Sequence, residues 1–240
     1  MKVELGLITG TGISSFDELE KTESVQVKTP YGTPSSDVQL GRIGKTGVAY
    51  ILRHGREKNV PPHMINHRAN IWALREIGAS RILSTTSVGS LKLAIKPPTI
   101  VVPDDYVCFS DVQTFFDEKI VHITPGMDGG LRKLALASAK KLKIPARDGG
   151  VYVQTSGPRL ETPAEIRVLK DWGDLIGMNM ASEATLAREV GLAYANISSV
   201  DNYGNGLSKV APTYEAIVAN AKRNWLHVSK ILAGVARGLA

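Results

Sequence analysis

A chain of 240 residues with 43% hydrophobic and 22% charged content can bury a sizeable core and has the composition of an ordinary water-soluble globular protein. Its single cysteine, Cys108, excludes an intrachain disulfide and any cysteine metal cluster. The opening run MKVELGLITG lacks a signal-peptide layout and no apolar run reaches bilayer length, so a reducing, cytoplasmic setting is expected. The net charge of +6 would suit a nucleic acid, but the basic residues are scattered and form no Lys/Arg block. An anionic small substrate explains the charge as well, and binding to nucleic acid or membrane is not expected.

Strand and helix signals alternate along the chain. Val3–Thr9 reads as an apolar strand that ends in the glycine turn Gly10-Thr11-Gly12, and Thr29–Asp37 as a turn-rich loop. Val48–Leu52 reads as a strand ending at Arg53-His54-Gly55. The spacing of Ile65, Ala69, Trp72 and Ala73 predicts a helix over 65–77. Arg81–Thr85 reads as a β-branched strand ending in Thr86-Ser87-Val88-Gly89, and Thr99–Val102 as another. Leu131–Leu142 reads as a basic amphipathic helix. Gly150–Gln154 leads through a Ser-Gly-Pro turn to Thr162, Pro163 and Glu165, the signature of a capped helix start that leaves Glu161 just outside it. Ser182–Glu189 reads as a helix capped by Ser182, Ala193–Val200 as a strand, and Thr213–Leu239 as a long helix capped by Thr213. Without repeats or linkers, this predicts one α/β domain over 1–240, with a mostly parallel sheet between helices.

The polar, glycine-bearing segments sit at strand ends: 10–12, 53–55, 86–89, 156–161 and 201–206. In an open α/β fold such ends converge on one cleft. Arg53 is a natural fork for a phosphate; His54 beside it either adds a donor or is structural. Thr11, Thr86 and Ser87 add hydroxyls to this one cation, a set suited to inorganic phosphate. Turn chemistry is the plainer role for the two strand-end hydroxyls. No carboxylate cluster or His pair marks a metal site, and Gly10–Gly12 fits neither the GxGxxG pattern nor a P-loop, which argues against a nucleotide-binding oxidoreductase. From its segment alone, Glu161 is a ligand contact or a solvated loop residue.

The ordered set ITGTG, RHG, NHRANIWAL, TTSVGSL, SGPRLETPAE, GMNMASEATLARE and DNYG, spanning about residues 5 to 205, resembles the trimeric purine nucleoside phosphorylase and methylthioadenosine phosphorylase family. The resemblance implies cleavage of a purine nucleoside by phosphate, the co-substrate, to free base and ribose 1-phosphate, as in purine salvage. It implies no metal or organic cofactor, and a homotrimer or dimer of trimers. By position, Thr11, Arg53, His54, Thr86 and Ser87 would hold phosphate, with Arg53, His54 and Asn202 serving catalysis. Asn179 stands where the family usually has Ser or Thr contacting phosphate and sugar, and Met178 would pack under the ribose. Ser182 replaces a usual Pro and His67 a usual Tyr. Leu160, Glu161, Asn202, Tyr203 and Gly204 would form the base pocket; His122 from a neighbouring subunit and Tyr214 would face the 5′ group.

The base preference follows from hydrogen bonding. A carboxylate accepts from N1–H of a 6-oxopurine but faces a lone pair in a 6-aminopurine. Glu161 is such a carboxylate, and in the resemblance methylthioadenosine enzymes carry a small hydroxyl residue there. They also carry an Asp-x-Asp pair where this chain has Asn202 and Gly204. Both positions point to inosine and guanosine, or to a 5′-modified version such as S-methyl-5′-thioinosine; S-methyl-5′-thioadenosine is the alternative. Asp201 is a second candidate proton donor, or a residue that shapes the turn. A family member reduced to binding a purine is the remaining rival, resting on Asn179 and Ser182.

Overall fold

The computed structural model describes residues 2–10, 16–57, 59–209 and 211–239. In chain order its strands are β1 (Leu5–Thr9), β2 (Glu20–Val25), β3 (Val38–Ile43), β4 (Thr46–Leu52), β5 (Arg81–Ser90), β6 (Thr99–Val102), β7 (Asp105–Val107), β8 (Arg147–Asp148), β9 (Val151–Gln154), β10 (Leu175–Gly177) and β11 (Ala193–Tyr203). The helices are α1 (His67–Glu76), α2 (Gly129–Lys141), α3 (Pro163–Leu169), α4 (Met180–Glu189) and α5 (Tyr214–Arg237).

These strands form one mixed sheet with β5 as its axis. β11 runs parallel to β5 from Arg81 to Ser90 and occupies one whole edge. The other edge is divided. β1 pairs in parallel with Arg81 to Ser84, and β10 pairs antiparallel with Gly89 and Ser90. Among the described residues, 85–88 therefore have no strand partner on that side. β1 continues outward through β4, β3 and β2, and β10 through β9 and β7, so two wings of the sheet separate at this gap. β6 and β8 extend the far side of β11.

Helices cover both faces, as the alternating apolar pattern requires. α1 and α4 pack Ile71, Leu74, Met180 and Leu186 against one face. α2 and α5 pack Leu131, Ala135, Val228, Ile231 and Leu232 against the other. Side-chain caps fix the helix starts: Asn66 on α1, Asp128 on α2, Thr213 on α5, and a full Thr162/Glu165 capping box on α3. α4 departs from the expected pattern. Ser182 is not its cap but lies inside it. The N-cap residue is Asn179, whose side chain caps nothing. Gln154 at the end of β9 does that work: its Oε1 accepts from the amides of Ala181 and Ser182, and its Nε2 donates to Ser182 Oγ. The strand expected to stop at Thr85 runs on to Ser90, because β11 pairs with it throughout. β2, β3, β7, β8 and β10 were not expected. β2 is an exposed polar edge, and β7, β8 and β10 are only two or three residues long. No helix among the described residues is long and apolar enough to cross a membrane.

Candidate active site

The gap in the sheet opens into a cavity of about 330 Å³. The ends of β1 and β4 contribute Thr9, Gly10, Leu52 and His54, and the loop after β4 adds Val60, Pro61 and Pro62. β5 contributes Ser87, Val88 and Gly89 from its unpaired stretch. Ile176, Gly177, Met178 and Asn179 come from the β10–α4 junction, Pro158, Leu160 and Glu161 from the turn after β9, Asn202 from β11, and Tyr214 and Ile217 from the start of α5. Of the residues singled out in the sequence, His54, Ser87, Leu160, Glu161, Met178, Asn179, Asn202 and Tyr214 meet here. Thr11 lies outside the described residues. The apolar walls from Val60, Pro61, Pro62, Pro158 and Ile176 were missed, since nothing in them signals chemistry.

Arg53 corrects the expectation of a free phosphate fork. It is wholly buried, and its Nε and one terminal nitrogen grip both oxygens of Glu183 at 2.5 and 3.1 Å. Nη1 donates to the carbonyl of Thr85 at 2.9 Å, sealing the unpaired edge of β5. What Arg53 offers the cavity is the edge of Nη1 beneath Gly10, where a Cβ would come within 2.6 Å of that atom and 3.7 Å of His54 Nε2. Only glycine leaves this space open.

Thr86 is also corrected. Its hydroxyl donates to Asn196 Oδ1 and meets Ser198, away from the larger cavity. These residues belong to a buried chain in which Tyr194 donates to Glu183, Ser84 to Tyr194, and Asn196 Nδ2 to Ser84. Burial raises the carboxyl pKa of Glu183, but Arg53 outweighs it and holds the group below its usual range. His67 stands 3.8 Å from Glu183, its Nδ1 without a partner, and burial drives it down to about 4, so it is neutral. Tyr203 and Gly204 do not line the cavity either. Tyr203 donates to the Leu93 carbonyl, and Gly204 lets Ile166 of α3 pack close, where a Cβ would come within 2.8 Å. His122 is exposed and lies outside the cavity of its own chain.

The groups that do face the cavity have defined polarity. His54 Nδ1 lies 2.9 Å from the Val60 carbonyl; a carbonyl only accepts, so Nδ1 carries the proton. Neutral His54 thus turns Nε2 to the cavity as an acceptor and donates there only when protonated. Burial, then the charge of Arg53, lower its pKa. Glu161 is buried, with Oε1 accepting from Thr155 at 2.6 Å. Asn202 spends one N–H on the Tyr203 carbonyl and keeps the other, while Gly89 leaves room for the amide. Asn179 is 8% exposed and its Oδ1 has no partner, an acceptor awaiting a donor. Asp201 does not reach this cavity. It borders a smaller one with Gly10, Ser87 and Ser199, and is 1% exposed. Among the described residues no cluster of three or more His, Cys, Asp or Glu side chains could hold a metal ion.

The sequence profile of the phosphorylase superfamily matches residues 4–237. A probable 6-oxopurine nucleoside phosphorylase from Archaeoglobus fulgidus is 42% identical over 229 residues, covering 95% of this chain and 93% of the relative. An S-methyl-5′-thioadenosine phosphorylase from Pyrococcus horikoshii is 38% identical over 234 residues, covering 95% and 90%. Among solved structures, methylthioadenosine phosphorylase from Schistosoma mansoni in complex with adenine superposes with a TM-score of 0.94 at 27% identity, covering 99% of this chain and 92% of that one.

Proposed function

The chain belongs to the phosphorylase superfamily, as a pentosyltransferase of the purine nucleoside phosphorylase kind, and from that premise we propose that it cleaves 6-oxopurine nucleosides, inosine and guanosine, with inorganic phosphate. One observation carries the base preference: the Glu161 carboxylate is buried in the cavity wall, with one oxygen accepting from Thr155. An N1–H satisfies it, whereas the lone pair of adenine N1 opposes it. A buried mismatch of this kind costs about 1–3 kcal/mol. Asn202, with one N–H to spare, donates to N7 or O6 as negative charge builds on the departing purine.

Phosphate is the co-substrate and no other cofactor takes part. It enters over Gly10, between His54 and Ser87, where the positive charge of Arg53 lies behind the glycine. Binding an anion there favours protonated His54, which then donates from Nε2. The partnerless oxygen of Asn179 accepts from a ribose hydroxyl while Met178 packs on the sugar. Phosphate reaches C1′ opposite the base as the glycosidic bond lengthens, and stabilises the ribosyl cation. His122, exposed on its own chain, serves the cavity of a neighbouring copy in a trimer or dimer of trimers.

A second reading, S-methyl-5′-thioinosine, is favoured by the apolar wall of Leu52, Val60, Pro61, Pro62 and Ile217. Base release from inosine, guanosine, methylthioinosine, adenosine and methylthioadenosine, each with and without phosphate, tests both. Phosphate-dependent cleavage of the 6-oxo compounds is expected, and the 5′ preference chooses between the readings. In Glu161→Gln, kcat/KM on inosine should fall roughly 100-fold while adenosine is spared. Preference of the unaltered enzyme for 6-amino compounds would sink the base assignment.

A further inference from the structure

Ser87 flanks the phosphate in this mechanism, but its bond to Asp201 is left unused. Ser87 borders both cavities, the larger one beside Gly10 and the smaller one with Asp201. Its hydroxyl donates to Asp201 Oδ2 at 2.5 Å. On the other oxygen, Ser199 donates at 2.5 Å and Asn224 at 3.0 Å. Asn220 of α5 donates to the Asp201 backbone carbonyl. The carboxylate is therefore surrounded by neutral donors from β5, β11 and α5, and Thr85, Thr86, Ala221, Trp225 and Val228 also line its cavity. None of these carries a charge; the groups nearest in function are Arg53 and His54, both at Gly10.

A serine has one proton. While Ser87 gives it to an ionised Asp201, its oxygen presents only lone pairs to the larger cavity, which repel an anion. If Asp201 takes a proton from solvent, the bond reverses: the carboxyl O–H donates to Ser87 Oγ, and the Ser87 O–H turns toward the cavity. No covalent bond changes. We propose that Asp201 is a positioning residue that sets the direction of the Ser87 hydroxyl, and that binding of a phosphate-like dianion beside Ser87 is coupled to proton uptake at Asp201. This rests on the reading of phosphate as co-substrate. The environment agrees with it: burial lifts Asp201 to about 6 against the bonds from Ser199, Ser87 and Asn224, so its proton is within reach near neutrality. By linkage, an anion that favours the protonated form binds more weakly as pH rises.

Calorimetric titration of the full-length enzyme with sodium sulfate tests the pair. Sulfate remains a dianion across the working range and needs no turnover, and two buffers of different ionisation heat reveal proton uptake directly. At about pH 8 the unaltered enzyme should take up a proton from solvent at Asp201 in addition to any taken by His54. In Ser87→Ala the Asp201 share should vanish and the His54 share remain. Asp201→Asn, whose amide donates to Ser87 and frees its hydroxyl for the anion, should bind sulfate roughly 5- to 10-fold tighter at about pH 8. Phosphate KM should fall with it while kcat holds, a split that a purely structural role would not produce. Equal proton uptake in the unaltered enzyme and Ser87→Ala overturns the proposal, as does weaker sulfate binding in a folded Asp201→Asn. Should Asp201→Asn not fold, the Ser87→Ala comparison decides alone. Failure of both sulfate and phosphate to bind the unaltered enzyme would instead overturn the phosphate reading.

Discussion

The interior around Arg53, built mainly from β5, β11 and α4, and the cavity wall around Asn179, at the β10–α4 junction, treat polar groups in opposite ways. In the interior, Arg53, Glu183, Tyr194, Ser84, Asn196, Thr86 and Ser198 hold one another in a buried chain of hydrogen bonds. Four residues before Glu183 along the chain, at the start of α4, the buried amide oxygen of Asn179 is left with nothing to accept among the described residues. A satisfied buried network specifies a structure, and an unsatisfied group at a cavity wall specifies a ligand. Residue type does not distinguish the two: arginine, serine, threonine and asparagine serve in both. Partner accounting does, with His67 Nδ1, 3.8 Å from Glu183, as the interior exception.

The comparison can be broken first at Glu183. Glu183→Ala strands the Arg53 charge in the interior and should cost about 3–5 kcal/mol in denaturant unfolding. A loss below about 1 kcal/mol would mean that the interior is not closed. Next is His67, on the edge of the same network. Its folded pKa of about 4 lies below the ordinary 6.5, so the unfolded chain binds the extra proton. Stability is then complete above about pH 6.5, is lost as pH falls toward about 4, and the loss amounts to about 3 kcal/mol. His67→Phe should flatten this part of the pH profile; an unchanged slope would remove His67 as its source. Thr162→Ala, which opens the capping box beside Glu161, should cost about 1 kcal/mol in thermal unfolding. The smallest stability effect belongs to the cavity wall. Asn179→Leu removes an unsatisfied oxygen, so the fold should be unaffected or gain about 1 kcal/mol, while kcat/KM falls at least about ten-fold. A large loss of stability with activity intact would reverse the contrast between the two regions.

The sequence made some of this legible and hid the rest for physical reasons. Capping chemistry is local, so Thr162, Pro163, Glu165 and Thr213 marked their helices correctly. The strand-end segments did converge, which placed His54, Ser87, Glu161 and Asn202 in one cavity; Asn179, outside those segments, joins them from the β10–α4 junction. Arg53 was misjudged because its partner lies 130 residues away, and no local pattern shows that a guanidinium is already taken. Ser182 was misjudged because a capping side chain was supplied from another strand, by Gln154. Thr86 and Ser87 both border the smaller cavity, but only Ser87 also lines the larger one; the Thr86 hydroxyl is engaged by Asn196 and Ser198, more than 100 residues away, which no local pattern shows. The short strands β7, β8 and β10 exist only through their pairing, and a three-residue segment carries no period to read.

The gap on the edge of β5 also bears on how the molecule responds to its own substrates. Whatever fills the cavity touches β1 on one wing of the sheet, β10 on the other, and β5 between them. A bound molecule thus takes the place of the strand that is missing, and each wing is held more firmly while it stays. Its binding energy adds to the work of pulling the sheet apart, by about 2.7 kcal/mol when the ligand stands about 100-fold above its Kd. The resistance of this protein to heat is therefore set partly by the metabolite concentration around it.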